Sequence, residues 1–335
     1  MEFSFSPKWG KLRTVAVSLV VASALVTSAC GSGDTGSQDD LKVTAAILPA
    51  YQNLAMKVGV VQGFFKNHGL DVNLIDNTDP AAQLSAMGNQ FDIIPSSGSY
   101  LLNAAQKGLD ATIVNNQSES TTESPAALLV TQKPINNYAD LKGATIGVPL
   151  LTSYSGASLT YLMQKAGLTS DDYKLVAVPY AEQLDQFKAG RIQAAMSATP
   201  FTEGLKSAGF AVSDADIFSE AVHAAAGSDT IRFSPNFNLA TTEWVKNNPK
   251  EVEAWRAGIE DSIEWLKANP AEGKKILVEW TKMPPQMADL ANPPAFEMDI
   301  DPAQFDAIWN VMNVAGLAKG NYPGDNIKVF AANNR

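Results

Sequence analysis

From Leu41 onward the chain alternates short β-like runs with helical stretches of about ten residues, and this rhythm limits the fold more than any other feature. Strands are expected near 43–48, 71–75, 91–94 and 111–115, with helices near 54–67, 81–89 and 100–107 between them. Gly69 and Gly108 stand where helix C-caps are expected. The rhythm resumes after Asp140, with strands near 144–148, 174–178 and 193–196 and helices near 154–166 and 181–189. Alternation of this kind implies α/β units, each with a mostly parallel sheet flanked by helices. Residues 126–131 read as a strand, and Pro134 after it suits a crossover between two such units.

The last third reads as mostly helical. Asn248-Pro249-Lys250-Glu251, Asn269-Pro270-Ala271-Glu272 and Asp301-Pro302-Ala303-Gln304 each offer a capping side chain, a Pro at the first helical position and Glu or Gln at the third. After the first start, Val252, Trp255, Ile259, Ile263 and Leu266 recur at three- and four-residue spacing. One apolar stripe results, so this helix is expected to pack on a domain.

The start of the chain has the anatomy of a signal peptide over residues 1–29. Lys8, Lys11 and Arg13 precede an apolar run over 14–29 that ends in small residues before Cys30. The run is broken by Ser18, Ser23, Thr27 and Ser28 and is shorter than the ~20 apolar residues of a spanning helix. Cys30 is the single cysteine, and Val26-Thr27-Ser28-Ala29-Cys30-Gly31 resembles a bacterial lipobox, with Thr27 where Leu is usual. That resemblance implies lipidation of Cys30 and attachment to the outside of the cell membrane. Residues 30–41 are Gly-, Ser- and Asp-rich and are expected to form a flexible tether. The G-x-G-x-x-G at Gly31–Gly36 is no dinucleotide loop, because no strand precedes it. Losing residues 1–29 removes three basic groups and one acidic group, which takes the formal charge from −10 to −12. So acidic a chain is a poor partner for nucleic acid. About 300 remaining residues suffice for two domains.

Residues 42–330 resemble the type II periplasmic-binding proteins of the aliphatic-sulfonate, taurine, nitrate and thiamine-pyrimidine group. The marks are Gly63-Phe64-Phe65-Lys66 with Gly69-Leu70-Asp71-Val72, then Phe91-Asp92-Ile93, Asp140-Leu141-Lys142-Gly143, Ile146-Gly147-Val148-Pro149, Ala189-Gly190-Arg191 and Asn269-Pro270-Ala271-Glu272. The resemblance implies a two-lobe clamshell: 42–130 and a helical 236–335 in one lobe, 131–235 in the other. It further implies a monomeric substrate-binding lipoprotein of an ABC importer, with a permease and its ATPase as partners and a small organic ligand, sulfonate- or carboxylate-like, between the lobes.

Ligands of open parallel sheets bind beyond the carboxyl ends of strands. The loops expected there hold Pro49-Ala50-Tyr51-Gln52, Ser96-Ser97-Gly98-Ser99, Thr152-Ser153-Tyr154-Ser155-Gly156, Thr199-Pro200-Phe201 and Asn236-Phe237-Asn238. The candidate ligand residues are Tyr51, Ser97, Ser153, Tyr154, Ser155, Thr199 and Phe237. Ser153, Tyr154 and Ser155 open a helix, so N–H groups and hydroxyls are available to an anionic head group; helix capping alone also accounts for them. Tyr51 and Phe237 offer flat walls for a neutral or aromatic ligand, or else simply fill the core. Arg232 is the one basic residue near these loops, facing either the cleft or solvent. An enzyme of this fold, a pyrimidine-precursor synthase, is the alternative; it relies on a cysteine-rich iron motif and a catalytic histidine. Here Cys30 is alone, and His68 and His223 have no metal-ligand partner at useful spacing, so no cofactor, metal or catalytic residue is expected.

Overall fold

The computed structural model describes residues 41–331, so the signal peptide, Cys30 and nearly all of the expected tether lie outside the described residues. Its strands are β1 (Leu41–Ile47), β2 (Leu70–Asp76), β3 (Ile94–Ser96), β4 (Ala111–Ser118), β5 (Leu128–Thr131), β6 (Thr145–Val148), β7 (Lys174–Ala177), β8 (Ala194–Ser197), β9 (Ala211–Asp216), β10 (Asn236–Thr241) and β11 (Ile327–Val329).

They form two lobes. In one, β1 pairs with β2 in parallel, and the Ala45–Ile93 bridge joins this pair to a sheet ordered β11-β4-β10-β3. The other lobe carries the sheet β7-β6-β8-β5-β9. Neither is as parallel as the rhythm implies. The strands that carry the chain between lobes run against their neighbours: β10 is antiparallel to β3 and β4, and β5 is antiparallel to β8 and β9. Strand β5 lies wholly in the five-stranded sheet, so that sheet begins at Leu128 rather than after 130. Likewise the part after 236, expected as helical, contributes β10 and β11 to the other lobe's sheet.

Helix Pro249–Ala268 buries its whole stripe: Val252, Trp255, Ile259, Ile263 and Leu266 are all under 9 % exposed. Each such side chain contributes about 1.5–3 kcal/mol by leaving water. Trp255 stacks on Phe65 with ring centroids 5.0 Å apart, and a Cβ added at Gly59 or Gly258 would lie 2.4 Å from the Phe65 ring. Only glycine lets the two helices close on that ring. The helix starts carry a correction: Asn248 and Asn269 do not cap forward, and their Nδ2 groups donate back to the carbonyls of Trp244 and Trp265 in the preceding helices.

Helix Gln304–Val314 packs against Gly98–Gln106 of one lobe and against Tyr154–Lys165 and Ile217–Ala226 beside the other sheet. Its Phe305, Ile308, Trp309 and Met312 belong to one apolar core with Ile94 and Ile113 on one side and Ile146 and Met196 on the other. The lobes therefore share packing beyond the crossover strands. Strands β4 and β10 carry a buried polar ladder: Asn115 Oδ1 accepts from Asn238 Nδ2 at 3.1 Å and from Trp255 Nε1 at 2.8 Å, while Gln117 donates to Asn238.

Candidate functional site

Two cavities open where strand ends from both lobes face each other. The larger, about 520 Å³, has one wall from Pro49, Ala50, Tyr51 and Gln52 after β1 and the opposite wall from Tyr180, Thr199, Pro200 and Phe201 after β7 and β8. The crossover segments supply Glu119, Ala126, Phe218 and Asn236, and the late segment supplies Met283, Ala291 and Asn292. Its character is aromatic: Tyr180 and Phe201 stack at 5.7 Å and an interplanar angle of 21°, and Tyr51 faces them across the space. Burial pushes the phenols of Tyr51 and Tyr180 up to about 12, so both stay neutral hydrogen-bonding groups.

The smaller cavity, about 150 Å³, lies beside it and shares Ser155, Phe218 and Pro235 with it. Two helix starts form it: Ser97, Gly98, Ser99 and Tyr100 on one side, Ser153, Tyr154 and Ser155 on the other, with Ile308, Phe218 and Phe233 completing its lining. Ser153 Oγ accepts from Ser155 N at 3.2 Å, an ordinary N-cap, whereas Ser97 makes no capping bond. First-turn N–H groups have no backbone partner within their own helix, so each of these starts is a source of donors. Gly156 is required here, since a Cβ on it would lie 2.3 Å from the carbonyl oxygen of Leu151.

The candidate residues divide accordingly. Tyr51 and Thr199 line the larger cavity, Ser97, Ser153 and Tyr154 the smaller, and Ser155 both. Tyr154 is 7 % exposed and stacks on Phe233 at 5.9 Å, so its ring is a wall of the recess with the hydroxyl inside the protein. Phe237 is not at the site. It is fully buried, edge-on to Phe305 at 5.6 Å, because in β10 the side chains alternate and its neighbour Asn236 takes the cleft face. Arg232 does not line either cavity: its Nη1 donates to Glu119 Oε2 at 2.9 Å, and it is partly exposed. Glu119 is thereby paired with an arginine. Among the described residues it is the one charged residue lining the two cavities. His68 pairs with Asp261 and His223 bonds the carbonyl of Ile231, both away from the cleft lining.

Sequence reasoning missed Tyr180, Phe218 and Met283. Tyr180 sits just past β7 and was open to the strand-end rule; Phe218 follows β9, where Asp214 and Asp216 obscure the β pattern, and Met283 lies in a segment with no periodicity.

Residues 52–273 match the model of the family described as NMT1/THI5 like. A protein of Brucella abortus (strain 2308) named as a binding protein is 26 % identical over 251 residues, covering 73 % of each chain. Among solved structures, the ligand binding component of an ABC-type import system from Staphylococcus aureus superposes with a TM-score of 0.62 at 14 % identity, covering 86 % of this chain and 96 % of that one. The periplasmic aliphatic sulphonate binding protein of Escherichia coli gives a TM-score of 0.59 at 16 % identity, covering 77 % and 86 %.

Proposed function

Since the chain belongs to the NMT1/THI5-like family, we propose that it is the solute-binding lipoprotein of an ABC importer, holding a small organic ligand in the cleft between its lobes. The observation that carries this reading is the paired cavity: an aromatic chamber walled by both lobes opens beside a recess made of two helix starts. A ligand touching both walls makes contacts in a closed state that an open state lacks, and such differential contact is what drives closure. The lobes of this proposal follow the two sheets, 42–127 with 236–335, and 128–235, with β5 in the second.

The ligand has an apolar or aromatic body and a sulfonate- or carboxylate-like head. Its body lies among Tyr51, Tyr180 and Phe201, and its head meets the N–H groups and hydroxyls of Ser97, Ser153 and Ser155. A second reading, an uncharged aromatic ligand, has one observation in its favour: among the described residues, the lining of both cavities holds no lysine, arginine or histidine. A melting-temperature screen of small organic anions and their neutral analogues tests both, because selective binding to the native state raises Tm by mass action. If neither class raises Tm, the cleft is not a solute site of this kind.

Residues 1–29 act as a signal peptide, and lipid on Cys30 anchors the mature protein outside the membrane. Cells carrying Cys30→Ser should release the protein from the membrane fraction. Persistence there at the mature size removes the anchor from Cys30.

A further inference from the structure

Asp216 ends β9 and opens the helix Ile217–Ala226, and its carboxylate grips two segments at once. Its Oδ1 accepts from Ser219 N at 2.7 Å and from Ser219 Oγ at 2.9 Å, which caps the helix. Its Oδ2 accepts from Ala127 N at 2.6 Å, and Ile217 N donates to the carbonyl of the same Ala127 at 2.9 Å. Ala127 lies where the first crossover enters β5, so crossover and helix start are tied to each other. The crossover carries the tie further: Ser120 Oγ accepts from Ala126 N at 3.1 Å, and Ser120 N donates to the carbonyl of Phe233 on the returning crossover at 2.8 Å.

A cap alone needs less than this. Serine or asparagine caps a helix about as well, whereas Asp216 is 8 % exposed and is in no ion pair among the described residues. Burying an unpaired charge is costly, and burial raises this carboxyl above its ordinary value despite the bonds from Ala127 and Ser219. What the arrangement fixes is Phe218, which stands between Asp216 and Ser219 and is the one aromatic residue among the described residues that lines both chambers. Its ring packs on Tyr154 at 5.3 Å and on Phe233 at 5.6 Å, two further walls of the recess.

We infer that Asp216 is a positioning residue of the cleft: by holding Ala127 and Ser219 with one carboxylate, it sets Phe218 where the two chambers meet. It acts on a ligand only through that ring, so its bearing on binding rests on the solute-binding reading, while the placement itself is a property of the ligand-free protein. Protonation undoes the grip. A neutral carboxyl turns one acceptor oxygen into a hydroxyl, so either Ala127 N or Ser219 N loses its partner. Glu119, Asp214, Glu220, His223, Asp229 and Arg232 line one cavity with Asp216, and Tyr138 and Tyr154 lie within reach of its charge.

Asp216→Ser separates the grip from the cap, because serine keeps a capping hydroxyl for Ser219 N but is too short to hold Ala127 as well. In the ligand-free protein with labelled phenylalanine rings, this substitution should shift the NMR signals of Phe218 and Phe233 and leave those of Phe65 and Phe187, which sit in other apolar clusters, in place. The Ala127 amide should exchange with solvent about tenfold faster or more, the loss of one bond to a charged group. On acidification of the wild type, the Phe218 and Phe233 rings and the Ala127 amide should move together, with one midpoint above the ordinary aspartate value; Asp216→Ser should lack that midpoint although its titrating neighbours remain. Unchanged Phe218 and Phe233 signals in the variant would make Asp216 a plain cap and overturn the proposal. So would a wild-type titration in which the rings and the Ala127 amide do not move together, a result that stands even where the variant fails to fold. Neither measurement needs a ligand, so failure here leaves the solute-binding reading intact, and failure of the ligand screen leaves the placement of Phe218 intact.

Discussion

The two chambers of the cleft are built in different ways. The recess is made of chain geometry: two helix starts line it, and their serines lie at or next to the caps. The larger chamber is made of side-chain faces, with Tyr51, Tyr180, Phe201 and Phe218 brought together from four separate segments. The first can hold charge without a cation, because helix-end dipoles and N–H donors favour an anion. The second can only supply area and stacking. A ligand that fills both is recognised by its head in one chamber and selected by its body in the other.

The sharpest break between the chambers should come from Gly156→Ala. The new Cβ would collide with the backbone carbonyl of Leu151, so the loop that sets Ser153 and Ser155 must move. Binding of an anionic ligand should weaken by about 3 kcal/mol or more, the loss of two bonds to a charged group at about 1.5–3 kcal/mol each. A neutral aromatic ligand, held by the other chamber, should lose much less. Calorimetric titration of both ligand types against this variant measures the contrast.

A smaller effect of opposite selectivity is expected from Phe201→Ala, which removes one ring of the Tyr180–Phe201 stack. Aromatic ligands should weaken by about 1 kcal/mol, roughly fivefold, and aliphatic anions should hardly change. Competition binding with an aromatic and an aliphatic sulfonate compares the two.

The smallest effect concerns pH. Tyr51 and Tyr180 have phenol pKa values raised to about 12 by burial, so the folded state keeps protons that the unfolded state gives up near pH 10. Their contribution to stability is complete below about pH 10 and is lost as pH rises through about 12. Tm should therefore fall over that window, and Tyr180→Phe should flatten part of the fall.

What could be read from the sequence follows the same division. Helix starts and strand ends are encoded locally, by Ser153 before an apolar helix or by Gly69 and Gly167, which adopt positive φ at helix ends. Most strands and helices up to β8 were therefore legible, whereas β9, β11 and the helix Ile217–Ala226 were not. Wall residues depend on which face of a strand points where, and that depends on pairing distant in sequence. Phe237 and Asn236 are neighbours, yet antiparallel pairing of β10 with β3 and β4 sends the phenylalanine to the core and the asparagine to the cleft. Asn248 and Asn269 fail for a related reason: each serves two abutting helices, and its amide bonds the end of the first rather than the start of the second. The helix Gln304–Val314 is recognisable as a helix, but its place between the lobes depends on four apolar residues matched to partners from both sheets.

The central claim is that an anionic head group sits between the two helix starts while the body fills the aromatic chamber. The most direct test pairs small aromatic sulfonates and carboxylates with their neutral amides, titrated by calorimetry into the wild type and into Ser153→Ala combined with Ser155→Ala. The anion should bind the wild type better than its amide, and the double substitution should cost the anion about 3–6 kcal/mol while leaving the amide nearly unchanged. Equal binding of anion and amide, or an anion affinity untouched by the two substitutions, would contradict the account.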